Sequence, residues 1–295
     1  MPVSMTELNQ RIQTLETLWT DCRACGRDCG VNRLEGELGI CGLGREIRIY
    51  KEHIHYGEEC SISPSHTVYL TGCSFRCTFC SDDSAVQEPQ KGTILSSEDL
   101  AQLISQRQRE GARNVHFVGG EPSVNALGIL EALRQCAPLP PVVWNTNAYH
   151  SGQLLPLLSG LVDTWIADLK FGSDDCGRIA GVQNYTQVAH PAVKALEADP
   201  GKLIVRHLLM PGHVECCTRP VLHWLATHAP QATVNLMTGW LPLARARRDP
   251  QLNTRIQPME HEKALELFST TPLQSRMLNG HWWNGDLNST SGLER

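Results

Sequence analysis

From residue 66 onward, short apolar runs alternate six times with segments of helical spacing, always in the same order. Strands are predicted over 67–71, 114–118, 141–145, 164–169, 203–209 and 233–237. Helices are predicted over 97–109, with Ser97 as the cap, and over 123–136, 151–158, 185–198 and 219–228. Strands this apolar suit a parallel sheet covered by helices. The expected fold is α/β, and six units fit a partial (β/α)6 TIM-like barrel better than the full eight. In such a fold the active face lies at the C-terminal ends of the strands.

Ahead of the repeat, residues 6–20 show helical spacing with Thr6 as the cap. A Gly- and Arg-rich stretch follows that cannot hold a long helix, so a metal is expected to organise it. After residue 245 a helix over 259–268 and a strand or turn at the end complete the expected elements. Three parts are expected: residues 1–64 as an N-terminal helix with a cysteine-rich metal-binding module, 65–245 as the partial barrel, and 246–295 as a C-terminal extension. A net charge of −5 without a basic block gives no footprint for nucleic acid. No apolar run approaches the ~20 residues that span a bilayer. The start, Met1-Pro2-Val3-Ser4, lacks a secretory pattern. A cytoplasmic protein without a membrane partner is expected.

Twelve cysteines in such a chain point to thiolates on metal, because disulfides are rare in the cytosol. Cys22, Cys25, Cys29 and Cys41 form one group; Cys73, Cys77 and Cys80 form a second. Cys60 and Cys136 read as packing residues. Cys176 follows the fourth strand, and Cys216-Cys217 follow the fifth, which puts all three on the active face. They are candidates for part of another cluster, for receiving substrate, for a thiyl radical, or for no role. His207 and His213 near the same face read as hydrogen-bonding groups rather than bases. The run Arg245–Arg248 reads as a solvated loop that could meet an acidic partner, and Trp282 and Trp283 as aromatics that cap the barrel or anchor a partner, with burial favoured.

The second group, Cys73-Ser-Phe-Arg-Cys77-Thr-Phe-Cys80, sits immediately after the first strand. Three thiolates supply three corners of a 4Fe–4S cubane and leave one iron without a protein ligand. On spacing alone, a zinc site completed by a histidine such as His66 is the alternative.

This loop, its position and the six units that follow resemble the radical S-adenosylmethionine superfamily over about residues 66 to 240. The resemblance implies that Cys73, Cys77 and Cys80 hold the cluster and that Phe79 contacts adenine. Gly119, Gly120 and Glu121, in Gly-Gly-Glu-Pro after the second strand, would hold the methionine amino group. Asn145 and Asn147, ending the third strand, would contact ribose. Asp168-Leu-Lys170 is similar to the Asp-x-Lys of glycyl-radical activating enzymes, whose lysine pairs with the methionine carboxylate. The run from Arg206 to Gly212 resembles the same enzymes, which adds Arg206 to the cofactor-binding set. The implied reaction is reductive cleavage of S-adenosylmethionine to a 5′-deoxyadenosyl radical, which abstracts hydrogen from substrate.

The first group offers four thiolates, enough to close a coordination shell, and both zinc and a second 4Fe–4S cluster are compatible. Three cysteines within eight residues favour the cubane. The stretch around this group resembles the head of pyruvate formate-lyase-activating-like proteins. Activase-like action on a protein or peptide, with flavodoxin or ferredoxin as electron donor, is therefore expected. Radical modification of a small molecule or a peptide through an additional cluster is the alternative. The rival from another class is an iron–sulfur or zinc protein without S-adenosylmethionine chemistry, which has no use for Gly120, Glu121, Asp168 or Lys170.

Overall fold

A computed structural model describes residues 3–273 and the backbone of 276–278 and 281–282. The predicted side-chain positions of Trp282 and Trp283 lie outside the described residues. Six parallel strands carry the repeat: β2 (Ser65–Leu70), β4 (Asn114–Gly119), β5 (Val142–Thr146), β6 (Thr164–Asp168), β7 (Lys202–Leu208) and β8 (Thr233–Met237). Parallel pairing runs through all six in chain order and continues to β9 (Arg276–Leu278). Among the described residues the sheet does not close, so the architecture is a partial TIM-like barrel: β3 (Thr93–Leu95) forms one edge and β10 (His281–Trp282) the other.

The connecting helices follow the expected order. They are α2 (Ser97–Arg109), α3 (Ala126–Gln135), α4 (Tyr185–Glu197) and α5 (Arg219–His228), with a single turn at Leu155–Leu158 between β5 and β6. Helix α3 places Leu127, Ile129, Leu130 and Leu133 at full burial. Each such side chain stabilises the fold by roughly 1.5–3 kcal/mol. Residues 123–125, predicted to open this helix, lie instead in a 3-10 turn over Pro122–Asn125. Pro122 lacks an amide donor, and Glu121 caps the turn by accepting from Ser123 N.

Two predicted caps move upstream. Ser4, not Thr6, caps α1 (Met5–Thr20), accepting from Glu7 N at 3.2 Å. Ser96, not Ser97, caps α2 by accepting from Asp99 N at 3.0 Å. Helix α1 buries Leu8, Ile12, Leu15 and Trp19, one stripe at helical spacing.

Strand β1 (Ile47–His55) was not anticipated. It pairs antiparallel with both β2 and β3, so the sheet itself crosses residue 64. The sequence Ile-Arg-Ile-Tyr-Lys-Glu-His-Ile-His is too polar to read as a core strand, and only Ile47 and Ile49 are buried. The connection from β1 to β2 plugs the lower end of the barrel. Ile62 packs there with Val143, Ile166 and Ile204.

The Gly-rich stretch between α1 and β1 is organised by a side chain. Arg33 is buried over the Trp19 ring at 4.5 Å and donates to the carbonyls of Gly44 (2.8 Å) and Val124 (2.8 Å). One guanidinium thus satisfies backbone acceptors from two segments that have no regular ladder.

Candidate active site

Register puts the strand ends level. Leu70 lies opposite Gly119, Thr146 opposite Ala167, Asp168 opposite Arg206, and Leu208 opposite Met237. These ends surround a cavity of about 380 Å³, lined by Cys73, Cys77, Cys80, Phe79, Gly119, Gly120, Asn145, Asn147, Asp168, Lys170 and Arg206. Eleven of the twelve residues predicted for cluster and cofactor thus share one chamber. Glu121, the twelfth, is buried beside it, where its carboxylate accepts from Ser123 N (3.0 Å), Thr146 Oγ1 (2.8 Å) and Asn147 N (2.8 Å). It ties the end of β4 to the end of β5.

Gly120 is needed for close approach. A Cβ there would fall 1.8 Å from the carbonyl oxygen of Gly72, so any side chain would push the cysteine loop away from β4. Instead Gly120 N donates to Leu70 O at 2.7 Å, and Glu121 N to Gly72 O at 2.9 Å.

The cysteine loop is held on three sides. Arg76 N and Thr78 N donate to Ala180 O and Ile179 O, each at 2.9 Å. Arg27 Nε donates to Ser74 O at 2.7 Å, and Arg76 reaches Ile40 O, so the N-terminal stretch grips the loop from a second side. On the third, Arg245 Nη2 donates to Arg76 O at 2.6 Å and Ala246 N to Thr78 O at 2.8 Å. Arg245 is exposed, as the solvated-loop reading expects, and its guanidinium also braces the backbone of the cysteine loop.

The donor set fits a 4Fe–4S cluster with one iron left open. The three thiols are free and face one chamber. Cys73 Sγ accepts from Phe75 N at 3.3 Å and from Asn147 Nδ2 at 3.6 Å, the polar support a cluster thiolate uses. Burial pushes Cys77 up to about 11 and Cys80 up to about 12. Burial, together with the Glu121 charge, raises Cys73 as well. Metal-free, these are thiols, so loading must release protons. His66 does not complete the set. It sits at the opposite end of β2 from the loop, with Nε2 3.0 Å from Glu52 Oε2.

On the far wall Lys170 pairs with Asp168 at 2.6 Å. Burial pulls the ammonium's pKa down, but Asp168 and Cys77 together hold it above its ordinary value. The Lys170 amide donates to Tyr185 Oη at 2.7 Å, which fixes the segment. Arg206 is held from below: its Nε donates to Glu59 Oε1 at 2.8 Å, and its Nη2 reaches Glu58 Oε2 at 2.5 Å. Phe79 packs on Trp240 with centroids 5.3 Å apart.

Glu58, Glu59 and Trp240 escaped sequence reading. The two glutamates lie in a polar loop after an unassigned strand, and no spacing rule ties them to a residue 147 positions away. His207 is the hydrogen-bonding residue expected, set between Leu169 O (2.8 Å) and Thr218 Oγ1 (3.0 Å). Cys136 is buried as expected, whereas Cys60 is exposed and does not pack. Cys22 and Cys41 are buried and Cys25 and Cys29 half-buried, with the other three thiols acting electrostatically on Cys25. Burial raises Cys25 to about 12.

An open α/β barrel with three thiols at its strand-end mouth is the frame of a cluster-bearing enzyme class. The sequence matches the radical SAM superfamily over residues 67–225, more than half of the chain. An uncharacterized protein of Methanocaldococcus jannaschii is 35% identical over 270 residues, covering 88% of this chain and 78% of that protein. The chain belongs to the radical SAM superfamily. The GTP 3′,8-cyclase of Pasteurella multocida is 22% identical over 142 residues, 47% of this chain and 42% of that enzyme. Among solved structures, Streptococcus suis SuiB bound to S-adenosylmethionine has a TM-score of 0.51 at 13% identity, covering 70% of this chain and 48% of SuiB. SuiB bound to its precursor peptide SuiA also gives 0.51, at 14% identity, covering 70% of this chain and 46% of SuiB. The chain thus spans about half of SuiB's length, and at this identity the likeness speaks for the fold. No helix among the described residues is long and apolar enough to cross a membrane.

Proposed function

We propose that this chain cleaves S-adenosylmethionine reductively and uses the resulting radical to take hydrogen from a protein or peptide. The observation that carries the reading is the gathering of eleven predicted residues from four strand ends and one cysteine loop into one cavity. When bound, the cluster and S-adenosylmethionine supply the electron transfer and the carbon radical.

The chain's own residues do the placing. Cys73, Cys77 and Cys80 hold three corners of the cluster, and the bedded loop keeps them from spreading. Lys170, positioned by Asp168 and Tyr185, offers its ammonium to the methionine carboxylate. Arg206 is less suited to that task, because Glu58 and Glu59 already neutralise it. Phe79, backed by Trp240, gives adenine an apolar surface, and Asn145 offers its amide to ribose. Asn147 also bonds Ser74 Oγ at 3.0 Å, so a ribose contact there is coupled to the cysteine loop. Leu208, Met237, Leu241 and Leu243 line the same cavity and give it apolar surface. For the N-terminal thiols we favour a second 4Fe–4S cluster over zinc. Among the described residues these cysteines do not bring three donor atoms within 4.8 Å, as a single ion requires.

The activase-like substrate reading is supported by the Asp168-x-Lys170 pair, and an open-sided barrel suits a chain substrate. Anaerobic reconstitution tests it: with dithionite and S-adenosylmethionine, 5′-deoxyadenosine should form, and deuterium should enter it from a deuterated peptide or protein fraction. Deuterium arriving only from a small-molecule fraction would overturn the substrate class. A fully loaded protein that forms no deoxyadenosine with any fraction would overturn the enzyme reading.

A further inference from the structure

We infer that Cys176, His213 and Cys216 form a mononuclear zinc(II) site separate from both cysteine clusters. Their donor atoms all lie within 4.8 Å of one another, and among the described residues they are the group of three that meets this condition. Tetrahedral zinc, with bonds of about 2.3 Å to sulfur and 2.0–2.1 Å to nitrogen, needs such atoms roughly 3.7 Å apart. Side-chain torsions alone can close a gap of about 1 Å. Two thiolates and an imidazole suit zinc, whereas magnesium and calcium take oxygen ligands.

The histidine is prepared for the task. His213 Nδ1 lies 2.6 Å from Pro211 O, and with its proton donated there the lone pair rests on Nε2. Fixing the tautomer through a carbonyl is how protein zinc sites orient imidazole. His213 and Cys216 are three residues apart on a π-helical turn, Val214–Thr218, closed by Cys217 N and Thr218 N donating to His213 O. Helix α6 (Pro258–Thr270) clamps that turn: Gly212 N donates to Glu260 Oε1 at 2.6 Å, and Lys263 pairs with Glu215.

Cys176 arrives from the connection after β6, on a short helix Asp174–Gly177. Asp174 Oδ1 accepts from Thr186 N (2.7 Å) and Thr186 Oγ1 (2.6 Å), which anchors this helix to α4. The two connections meet at Gly172, where a Cβ would fall 2.6 Å from Cys216 O and 2.9 Å from Cys217 O. Glycine lets the backbones touch, and their contact sets the distance between Cys176 and Cys216. Cys217 is buried against the set, hydrogen-bonded through its side chain to Cys176 and Cys216, but its sulfur is not within 4.8 Å of all three donor atoms. Cys216 is exposed, so the fourth ligand is a water on the solvent side. An ion here would tie the segment following Lys170 to the turn after β7.

The test is metal stoichiometry on the full chain, purified anaerobically, with zinc(II) and then cobalt(II) as probes. One zinc per chain should be lost in each of Cys176→Ser, His213→Gln and Cys216→Ser. Iron content should keep its parent value throughout, and a Cys60→Ser variant, at an exposed cysteine outside the site, should keep parent zinc. Cobalt(II) should give tetrahedral d–d and thiolate charge-transfer absorption in the parent, and neither in the three variants. Equal zinc in parent and variants would overturn the assignment. So would loss of about four irons, which means a cluster, or a Cys176–Cys216 disulfide in zinc-free parent. Circular dichroism reports whether each variant folds. Should a cysteine variant fail, His213→Gln keeps both thiols and decides.

Discussion

The loop Cys73–Cys80 and the turn around His213–Cys216 both present sulfur at the mouth of the barrel, yet they are built oppositely. The first is buried, held on three sides by backbone contacts, and spreads its thiols around a cavity of about 380 Å³. The second is half-exposed and draws its donors within 4.8 Å. Spacing between sulfurs follows what must fit between them: a cubane takes one thiolate per corner, whereas a single ion takes all its ligands on one atom. Burial follows use. A cluster that reduces a bound cofactor needs a dry chamber, and an ion that braces two loops does not.

The contrast breaks most severely at the buried set. Alanine at Cys73, Cys77 or Cys80 should reduce deoxyadenosine formation to background while zinc content stays at the parent value. Gly120→Ala should come next, because its Cβ meets Gly72 O and the loop must shift. A loss of about 3 kcal/mol or more of stability is expected, with iron loading falling in parallel. Denaturant unfolding and iron analysis check both.

An acid scan sharpens the contrast between buried and exposed histidines. Burial holds His66, His116, His150 and His207 down to about 4. In the unfolded chain each protonates near 6.5, so between pH 6.5 and 4 the unfolded state binds more protons and stability falls as pH drops. Several kcal/mol should be lost across that window in a pH series of melting curves. His116→Gln should make the slope shallower. Lys170→Ala should raise the S-adenosylmethionine Kd by about 10- to 100-fold, the worth of one charge-assisted hydrogen bond. Calorimetric titration reads it. Arg245→Ala should cost about 1 kcal/mol, seen as faster loss of iron to a chelator.

Much of this was legible because the barrel is local. Each strand with its helix carries its own apolar period, and the residues that end the strands follow directly, from Gly119 to Arg206. Contacts closed over long distances were not legible. Strand β1 hides in polar sequence, since between β2 and the three-residue edge strand β3 it buries only Ile47 and Ile49. Glu59 reaches Arg206 only once the β1–β2 connection plugs the barrel. The meeting of Cys176 with His213 depends on the bare backbone of Gly172, which carries no sequence signal beyond one glycine among 24.

The central claim is that S-adenosylmethionine binds at the cluster held by Cys73, Cys77 and Cys80. Electron paramagnetic resonance of the reduced protein tests it without any substrate, using a variant with Cys22, Cys25, Cys29 and Cys41 replaced by alanine so that one cluster signal remains. Adding S-adenosylmethionine should change that signal's g-values and line shape. A signal unaltered at saturating S-adenosylmethionine, with iron fully loaded, would contradict the account.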